Sequence, residues 1–322
     1  MARRLFEGCK HAAEYAKYRP RSPPAVAEKI IQYLKEKITT LNRALDIGCG
    51  SGQSTALFAS HFEKVTGIDV SEAQIEEAIK NNKFTNVEYK VSSAEDTKLK
   101  NESIQLITAS QSVHWFNIDK FYNEVNRLLV PNGVLAMYGY SVMMPHPLDV
   151  NVREKAVDVV NKFYAEDIGK YWSPERKHID NNYKDITFPY RDYIRTTVTH
   201  QSDLPLLNYL GYFTTWSSYQ ELLKEDAKKA EFVMTRFQNS GAHGIRRKET
   251  QDVKKGIVHN ARFFQLRLNV GSALHKVALV TTGGGNFAWK TRNVPCFPGQ
   301  VLVNIRGTMD KYRSLVSFIF AE

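Results

Sequence analysis

Cysteine is scarce in this chain, with three residues among 322, at positions 9, 49 and 296. An odd, scattered set excludes a disulfide-built scaffold and a cysteine zinc site, and fits free thiols in a reducing compartment. No apolar run reaches the roughly 18 residues that a membrane-spanning helix needs. The opening residues Met1 to Phe6 carry two arginines but no apolar core of a secretory signal. A cytoplasmic location without a membrane partner is therefore the expectation. An excess of one charge sign is also missing from most of the chain. The first 240 residues hold 31 Lys and Arg against 30 Asp and Glu, whereas residues 241–322 hold 13 against 4. The formal net charge of +10 thus belongs to the last quarter. A basic patch can bind nucleic acid. This one lacks an RNA-binding signature, and Arg246 to Lys248 with Lys254 and Lys255 also reads as a solvated stretch. The triple glycine Gly283 to Gly285 is not followed by Lys-Ser or Lys-Thr, so it is no phosphate-binding P-loop.

What is present concentrates between Ala44 and Thr55. An apolar run (Ala44, Leu45, Ile47) reads as a buried strand broken by Gly48, Gly50 and Gly52, and an amphipathic helical pattern starts near Ser54. Strand, glycine turn and helix in that order make a nucleotide-binding crevice, because glycines allow the turn and the close approach of a ligand. A dinucleotide fingerprint spaces its glycines as Gly-x-Gly-x-x-Gly. Here the order is Asp46-x-Gly48-x-Gly50-x-Gly52, with an acid at the strand end. A carboxylate there repels a pyrophosphate but suits an ammonium, held directly or through water. S-adenosylmethionine carries an ammonium and NAD does not.

A second strand, Lys64 to Val70, contains Asp69, 17 residues beyond Gly52, near the spacing of about 20 at which an acid reaches ribose hydroxyls. Ser71 and Glu72 open a helix there, so capping and ribose binding can coexist. A third strand, Val87 to Val91, leads into Ala94, Glu95 and Asp96, where an adenine edge lies if the sheet is wound in the usual sense. A loop acid at that point is equally a solvated residue. A fourth strand runs from Ile104 to Ala109, and a fifth from Val134 to Tyr138 after the turn Pro131-Asn132-Gly133. This alternation predicts an α/β fold: a doubly wound, Rossmann-like, mostly parallel sheet with helices on both faces.

The series Asp46-x-Gly48-x-Gly50-x-Gly52, Asp69, Ala94 to Asp96 and Leu128 to Gly133 resembles the class I S-adenosylmethionine-dependent methyltransferases. Two further segments, Phe6 through Tyr15 to Pro20 and Ser112 to Phe116, resemble the trans-aconitate methyltransferase-like group of small-molecule enzymes. The resemblance covers roughly residues 5–235. It implies that Gly48, Gly50 and Gly52 admit the methionine part and ribose of S-adenosylmethionine. Asp46 would contact the amino group, Asp69 the ribose diol, and Ala94 and Glu95 the adenine. Gln111 and Ser112 would line the sulfonium side. Tyr15, Tyr18 and Arg19 would close over the cofactor, with Arg19 a partner for a carboxylate.

Beyond residue 140 the chain changes character. A helical, aromatic-rich insertion is expected at about 141–190, which the resemblance implies forms a cap over the substrate pocket, with a sixth strand from about Tyr193 to His200. Tyr209, Tyr212, Trp216 and Tyr219 then read either as pocket lining or as core. The domain expectation is 1–237 for the methyltransferase unit and 238–322 for a basic, β-rich extension of uncertain fold. In that extension Phe263 to Leu268 either supplies a missing edge strand or belongs to a dispensable, ill-packed tail, the latter being preferred. Further β-like segments are Val277 to Thr282, Val301 to Ile305 and Leu315 to Phe320. His114 is the histidine placed to serve as a base, or else a structural residue bonded to a nearby carbonyl. Trp115 and Phe116 are expected to pack under the cap, and Cys49 to be a packed thiol. The expected reaction is methyl transfer to a small molecule bearing a carboxylate, with Arg191, Arg195 and Lys170 as available cations. Alternatives are an RNA or protein acceptor, or cofactor binding without activity. No metal is expected, and the oligomeric state is not specified.

Overall fold

A computed structural model describes residues 8–145, 150–200, 204–246, 257–258, 264–272, 278–281 and 287–290. Five parallel strands form its centre: β1 (Arg43–Ile47), β2 (Lys64–Asp69), β3 (Val87–Val91), β4 (Ile104–Ser110) and β5 (Leu129–Tyr140). Burial on both faces explains their apolar runs, since β1 is buried from Ala44 to Ile47 and β5 from Gly133 to Tyr140. The sheet order β3-β2-β1-β4-β5 reverses direction between β1 and β4, which leaves a crevice at the carboxyl ends of those two strands. The Pro131-Asn132-Gly133 turn survives as an irregularity inside β5. Leu129 pairs with Ile104, and pairing resumes only at Val134 with Leu106.

The helical pattern after β1 does not become an α-helix. Thr55–Phe58 is a single 3₁₀ turn, closed by bonds such as Leu57 N–H to Ser54 O at 3.1 Å. Only five residues separate Phe58 from β2, and the apolar side chains that suggested a helix (Phe58, Ala59, Phe62) are buried by that turn instead. Helices α1 (Cys9–Tyr18), α2 (Pro24–Lys37), α3 (Glu72–Lys80) and α4 (Ile118–Leu128) pack around the sheet. Helix α2 starts with proline at its first turn and buries Val26, Ile30 and Leu34 in the core. Ser71 caps α3 by accepting from Gln74 N–H, and Asn117 caps α4 by accepting from Lys120 N–H.

After β5 come α5 (Val150–Lys162), a π-helical turn at Phe163–Asp167 and the short α6 (Arg176–Asp180). Helices α7 (Leu206–Thr214), α8 (Ser217–Glu225) and α9 (Ala227–Arg246) follow. Phe163, Phe213, Trp216 and Phe237 stack into one cluster with ring centres 4.4–6.0 Å apart. Tyr209, Tyr212, Trp216 and Tyr219 are buried core residues, which decides between the two readings of that aromatic string.

The carboxyl-terminal part departs from the expected boundary at 238. Helix α9 runs through that position, and β9 (Phe264–Ser272) joins the main sheet antiparallel between β5 and the sixth strand, β6 (Tyr193–His200). Strand β9 is therefore interior to the sheet: its backbone pairs with β5 from Val134 to Tyr140 and with β6 from Tyr193 to His200. Short pairs β7 (Leu204–Pro205) with β8 (Ile257–Val258), and β10 (Ala278–Thr281) with β11 (Phe287–Lys290), complete the described strands. Gly283 to Gly285, Arg247 to Lys255, Cys296, Val301 to Ile305 and Leu315 to Phe320 lie outside the described residues.

An interior strand cannot be removed without exposing two rows of backbone donors and acceptors. A chain ending at residue 246 is therefore expected to lose cooperative thermal unfolding or to aggregate. A truncated chain that melts at the parent temperature would contradict this placement of β9.

Candidate active site

The glycine turn begins where β1 ends. Gly48, Gly50 and Gly52 have φ of +68°, +52° and +82°, the left-handed region that side chains with a Cβ avoid. At Gly52 space is also lacking, because a Cβ would lie 2.4 Å from the Tyr89 hydroxyl. The turn hooks onto β2. Gly48 and Cys49 N–H both donate to Ile68 O at 2.8 and 3.0 Å, and Gly50 N–H donates to Asp69 Oδ2 at 2.9 Å. The other oxygen of Asp69 accepts from Ser71 N–H at 3.0 Å, so this carboxylate joins the turn to the start of α3.

A cavity enclosing about 1140 Å³ of empty space, its open mouth included, sits above this turn at the crevice between β1 and β4. Carboxyl ends of all five parallel strands reach it: Gly48 to Gly50, Asp69 to Ser71, Ala94 and Glu95, Ser110 to Ser112, and Tyr140. Helix α1 and the residues after it close one side with Tyr15 and Arg19. Gln53 fastens this segment to the turn, its amide donating to Tyr15 O and Ala16 O at 3.4 and 3.3 Å. The Arg19 guanidinium lies 4.7 Å from the Tyr15 ring and 5.4 Å from the Tyr212 ring, and donates to Thr215 O at 3.0 Å. Its Nε is buried without a partner, as is Gln74 Oε1. Two residues of the lining thus each keep one buried polar atom for which the chain supplies no mate.

Most of the residues singled out from sequence meet at this cavity: Tyr15, Arg19, Gly48, Gly50, Asp69, Ala94, Glu95, Gln111 and Ser112. Gln111 has φ of +55°, unusual for a side chain of its size. Its amide holds both the N–H and the C=O of Tyr140 at 2.8 Å, which ties the ends of β4 and β5 together. Ser112 donates to Ile47 O at 3.0 Å, and Glu95 accepts from Asn117 N–H at 2.9 Å.

Four residues do not line it. Gly52 packs against Tyr89, and Tyr18 against Gly211. Asp46 is 1% exposed and lies beneath the turn, accepting from Thr55 and Thr108 hydroxyls at 2.7 Å each. Burial, the largest cause, pushes its carboxyl up to about 6, and the two hydroxyls pull the other way. The fourth is His114, and the structure corrects its expected role as a base. Its imidazole is buried, with Nδ1 3.0 Å from the Tyr183 hydroxyl, a side-chain partner in place of the carbonyl anticipated. Burial and then the charge of Arg176 hold its pKa down at about 3, so it is a weak proton acceptor. Sequence periodicity gives no measure of depth behind a wall, which is why the histidine looked available.

Trp115, Phe116, Gln53, Gln74 and Tyr140 line the cavity without having been singled out as site residues. Trp115 and Phe116 were expected only to pack under the cap. Cys49 also faces the cavity, yet burial raises its thiol well above the ordinary range, as a packed and unreactive residue requires. Groups of histidine, cysteine and carboxylate able to hold a metal are absent among the described residues.

The description "Methyltransferase domain" matches residues 45–137, from β1 to β5. A protein of Dictyostelium discoideum named as a putative methyltransferase is 38% identical over 215 residues, 66% of this chain and 78% of that protein. A protein of Saccharomyces cerevisiae named as an S-adenosylmethionine-dependent methyltransferase is 27% identical over 179 residues, 53% of this chain and 59% of its own length. Among solved structures, a type II methyltransferase of Anaeromyxobacter dehalogenans superimposes with a TM-score of 0.59 at 27% identity, covering 79% of this chain and 96% of that one.

The buried carboxylate under the turn sets a pH signature. Its pKa is raised in the folded chain above the unfolded value, so folding binds a proton between those two values. Stability is therefore lost as pH rises from about 4 to about 6. Asp46→Asn is expected to be the more stable protein at pH 7.5, by about 3 kcal/mol, with the gain falling to about a third of that at pH 4.5. Urea unfolding at the two pH values measures it, and an equal effect at both would contradict a buried charge. With its fold, its glycine turn and these relatives, the chain belongs to the class I S-adenosylmethionine-dependent methyltransferases.

Proposed function

We propose that the cavity binds S-adenosylmethionine, and that the chain methylates a small-molecule acceptor bearing a carboxylate, as in the trans-aconitate methyltransferase-like group. The observation that carries the reading is the placement of opposite chemistries on one wall. Asp69 brings a carboxylate to the turn side, suited to a ribose diol, and Arg19 brings a cation with a free buried N–H to the α1 side. The unmated Gln74 Oε1 adds an acceptor for a hydroxyl or an amine. At Gly50 a Cβ would meet Gln74 Oε1 at ordinary contact distance, 3.6 Å, so this glycine is set by its positive φ and leaves the backbone bare toward the cavity.

When bound, S-adenosylmethionine supplies an electrophilic methyl group on a sulfonium, so the chain needs to contribute little chemistry of its own. Its residues orient and enclose. Asp69, Ala94 and Glu95 form one side of the site, and Gln111 with Ser112 hold the end of β4 opposite the turn. Tyr15, Trp115, Phe116 and Tyr140 give the cavity aromatic walls that exclude water. A carboxylate acceptor has no proton to lose, which agrees with a site whose nearby histidine is a weak base. Holding reactants in line is worth on the order of 7–11 kcal/mol in favourable cases.

Calorimetric titration with S-adenosylhomocysteine tests the reading. Micromolar binding is expected for the parent chain, with NAD as a non-binding control. Asp69→Ala is expected to weaken it at least tenfold, and Arg19→Met by a similar factor. Parent-like affinity in both variants, or no binding to the parent, would refute the assignment of this cavity.

A further inference from the structure

Arg19 is a cation at the cavity that the fold holds without a counter-ion. It lines the cavity and is part exposed. Its surroundings are neutral. The Tyr15 ring lies 4.7 Å away, the Tyr212 ring 5.4 Å away, and the Thr215 carbonyl 3.0 Å from Nη2. The Tyr140 hydroxyl is also hydrogen-bonded to the guanidinium. No carboxylate pairs with it among the described residues. A carboxylate would hold the arginine firmly but would also cancel most of its charge. Neutral oxygens and ring faces fix its place and leave the charge for a ligand.

Tyr140 is the partner that belongs to the sheet. It ends β5, lines the cavity and is 7% exposed. One side chain clamps its backbone: the Gln111 amide donates to Tyr140 O and accepts from Tyr140 N–H, each at 2.8 Å. Gln111 does so from φ of +55°, a conformation that costs free energy and recurs at functional sites. Burial raises the phenol above its ordinary range, with the Arg19 charge acting the other way, so Tyr140 is a neutral hydroxyl near neutral pH. Arginine only donates, so the phenol oxygen accepts in this pair. A chain of contacts thus runs from the end of β4 through Tyr140 to Arg19, just past α1, and on to Thr215 between α7 and α8.

We propose that Tyr140 is a positioning residue for cofactor selection: its hydroxyl aims the uncancelled charge of Arg19 at the carboxylate of the methionine part, so that the site distinguishes S-adenosylmethionine from its decarboxylated form. The proposal rests on the reading of the cavity as the S-adenosylmethionine site and adds the device by which that site reads one end of the molecule. Decarboxylation removes the anion and leaves the adenosine, the sulfur and the ammonium in place. Contacts through Asp69, Ala94 and Glu95 therefore treat the two forms alike, and a cation facing the cavity separates them. Tyr15 and Tyr212 hold Arg19 by ring faces, which restrain distance more than direction. A hydrogen bond to one oxygen restrains both. Tyr140 acts through the arginine.

The test uses the full chain, titrated calorimetrically with S-adenosylhomocysteine and with its decarboxylated analogue. The parent is expected to bind S-adenosylhomocysteine about tenfold more tightly than the analogue. Tyr140→Phe removes one oxygen and is expected to lower that preference at least threefold, with affinity for the analogue within twofold of the parent. A merely structural tyrosine would weaken both ligands alike and leave the preference unmoved. In an Arg19→Met background, Tyr140→Phe is expected to change the preference no further, because its effect passes through the arginine. If Tyr140→Phe does not fold, Gln111→Gly removes the clamp while suiting the positive φ, and is expected to lower the preference at least twofold. Equal binding of the two ligands by the parent, or a preference unmoved by the folded variant, overturns the proposal and leaves the cofactor reading intact. A further loss of preference in the Arg19→Met background also overturns it, since Tyr140 would then not act through Arg19. Failure of the parent to bind either ligand overturns the cofactor reading and the proposal together.

Discussion

The carboxylates of Asp46 and Asp69 hold a backbone turn that would otherwise have no reason to persist. Three glycines in the left-handed region lose more conformational freedom on folding than any other residue type would. Their turn is kept by bonds from outside it: Ile68 O takes two N–H groups, Asp69 takes a third, and Asp46 beneath binds Thr55 after the turn and Thr108 on β4. The result ties β1, β2 and β4 together where the sheet changes direction. A ligand crevice at such a point follows from topology, but its shape follows from these two acids.

The two acids differ in kind. Asp69 borders the cavity and can exchange some of its bonding for a ligand, whereas Asp46 is sealed, with its pKa raised to about 6 by burial. Sequence spacing treats them alike, as acids at strand ends, and so assigned both to the cofactor. Depth separates them, and depth depends on what covers a strand end from elsewhere in the chain. His114 shows the same effect: it stands just past β4, but it is buried with its Nδ1 against the hydroxyl of Tyr183, far along the chain, which is the structural of its two readings.

Strands β1, β2 and β4 were legible because a doubly covered strand must be apolar throughout, and they end within one residue of their expected limits. Two features were not. An amphipathic run after the glycine turn supports a helix or a 3₁₀ turn equally well when it is so short, and the approach of β2 selects the turn. The place of β9 depends on pairing across more than 120 residues with β5, which no local pattern encodes. Helices of the described residues are all too short or too polar to cross a membrane, in line with the absence of long apolar runs.

Hydrogen exchange with and without S-adenosylhomocysteine tests the account most directly, because it reads the whole chain at once. Slowed exchange is expected at Gly48 to Ser54, at Asp69 to Gln74, at Gln111 to Phe116 and in the α1 segment through Arg19, with α7 and α8 changed little. Protection confined to other segments, or none under conditions where the ligand binds, would contradict the claim that this turn and these strand ends form the cofactor site.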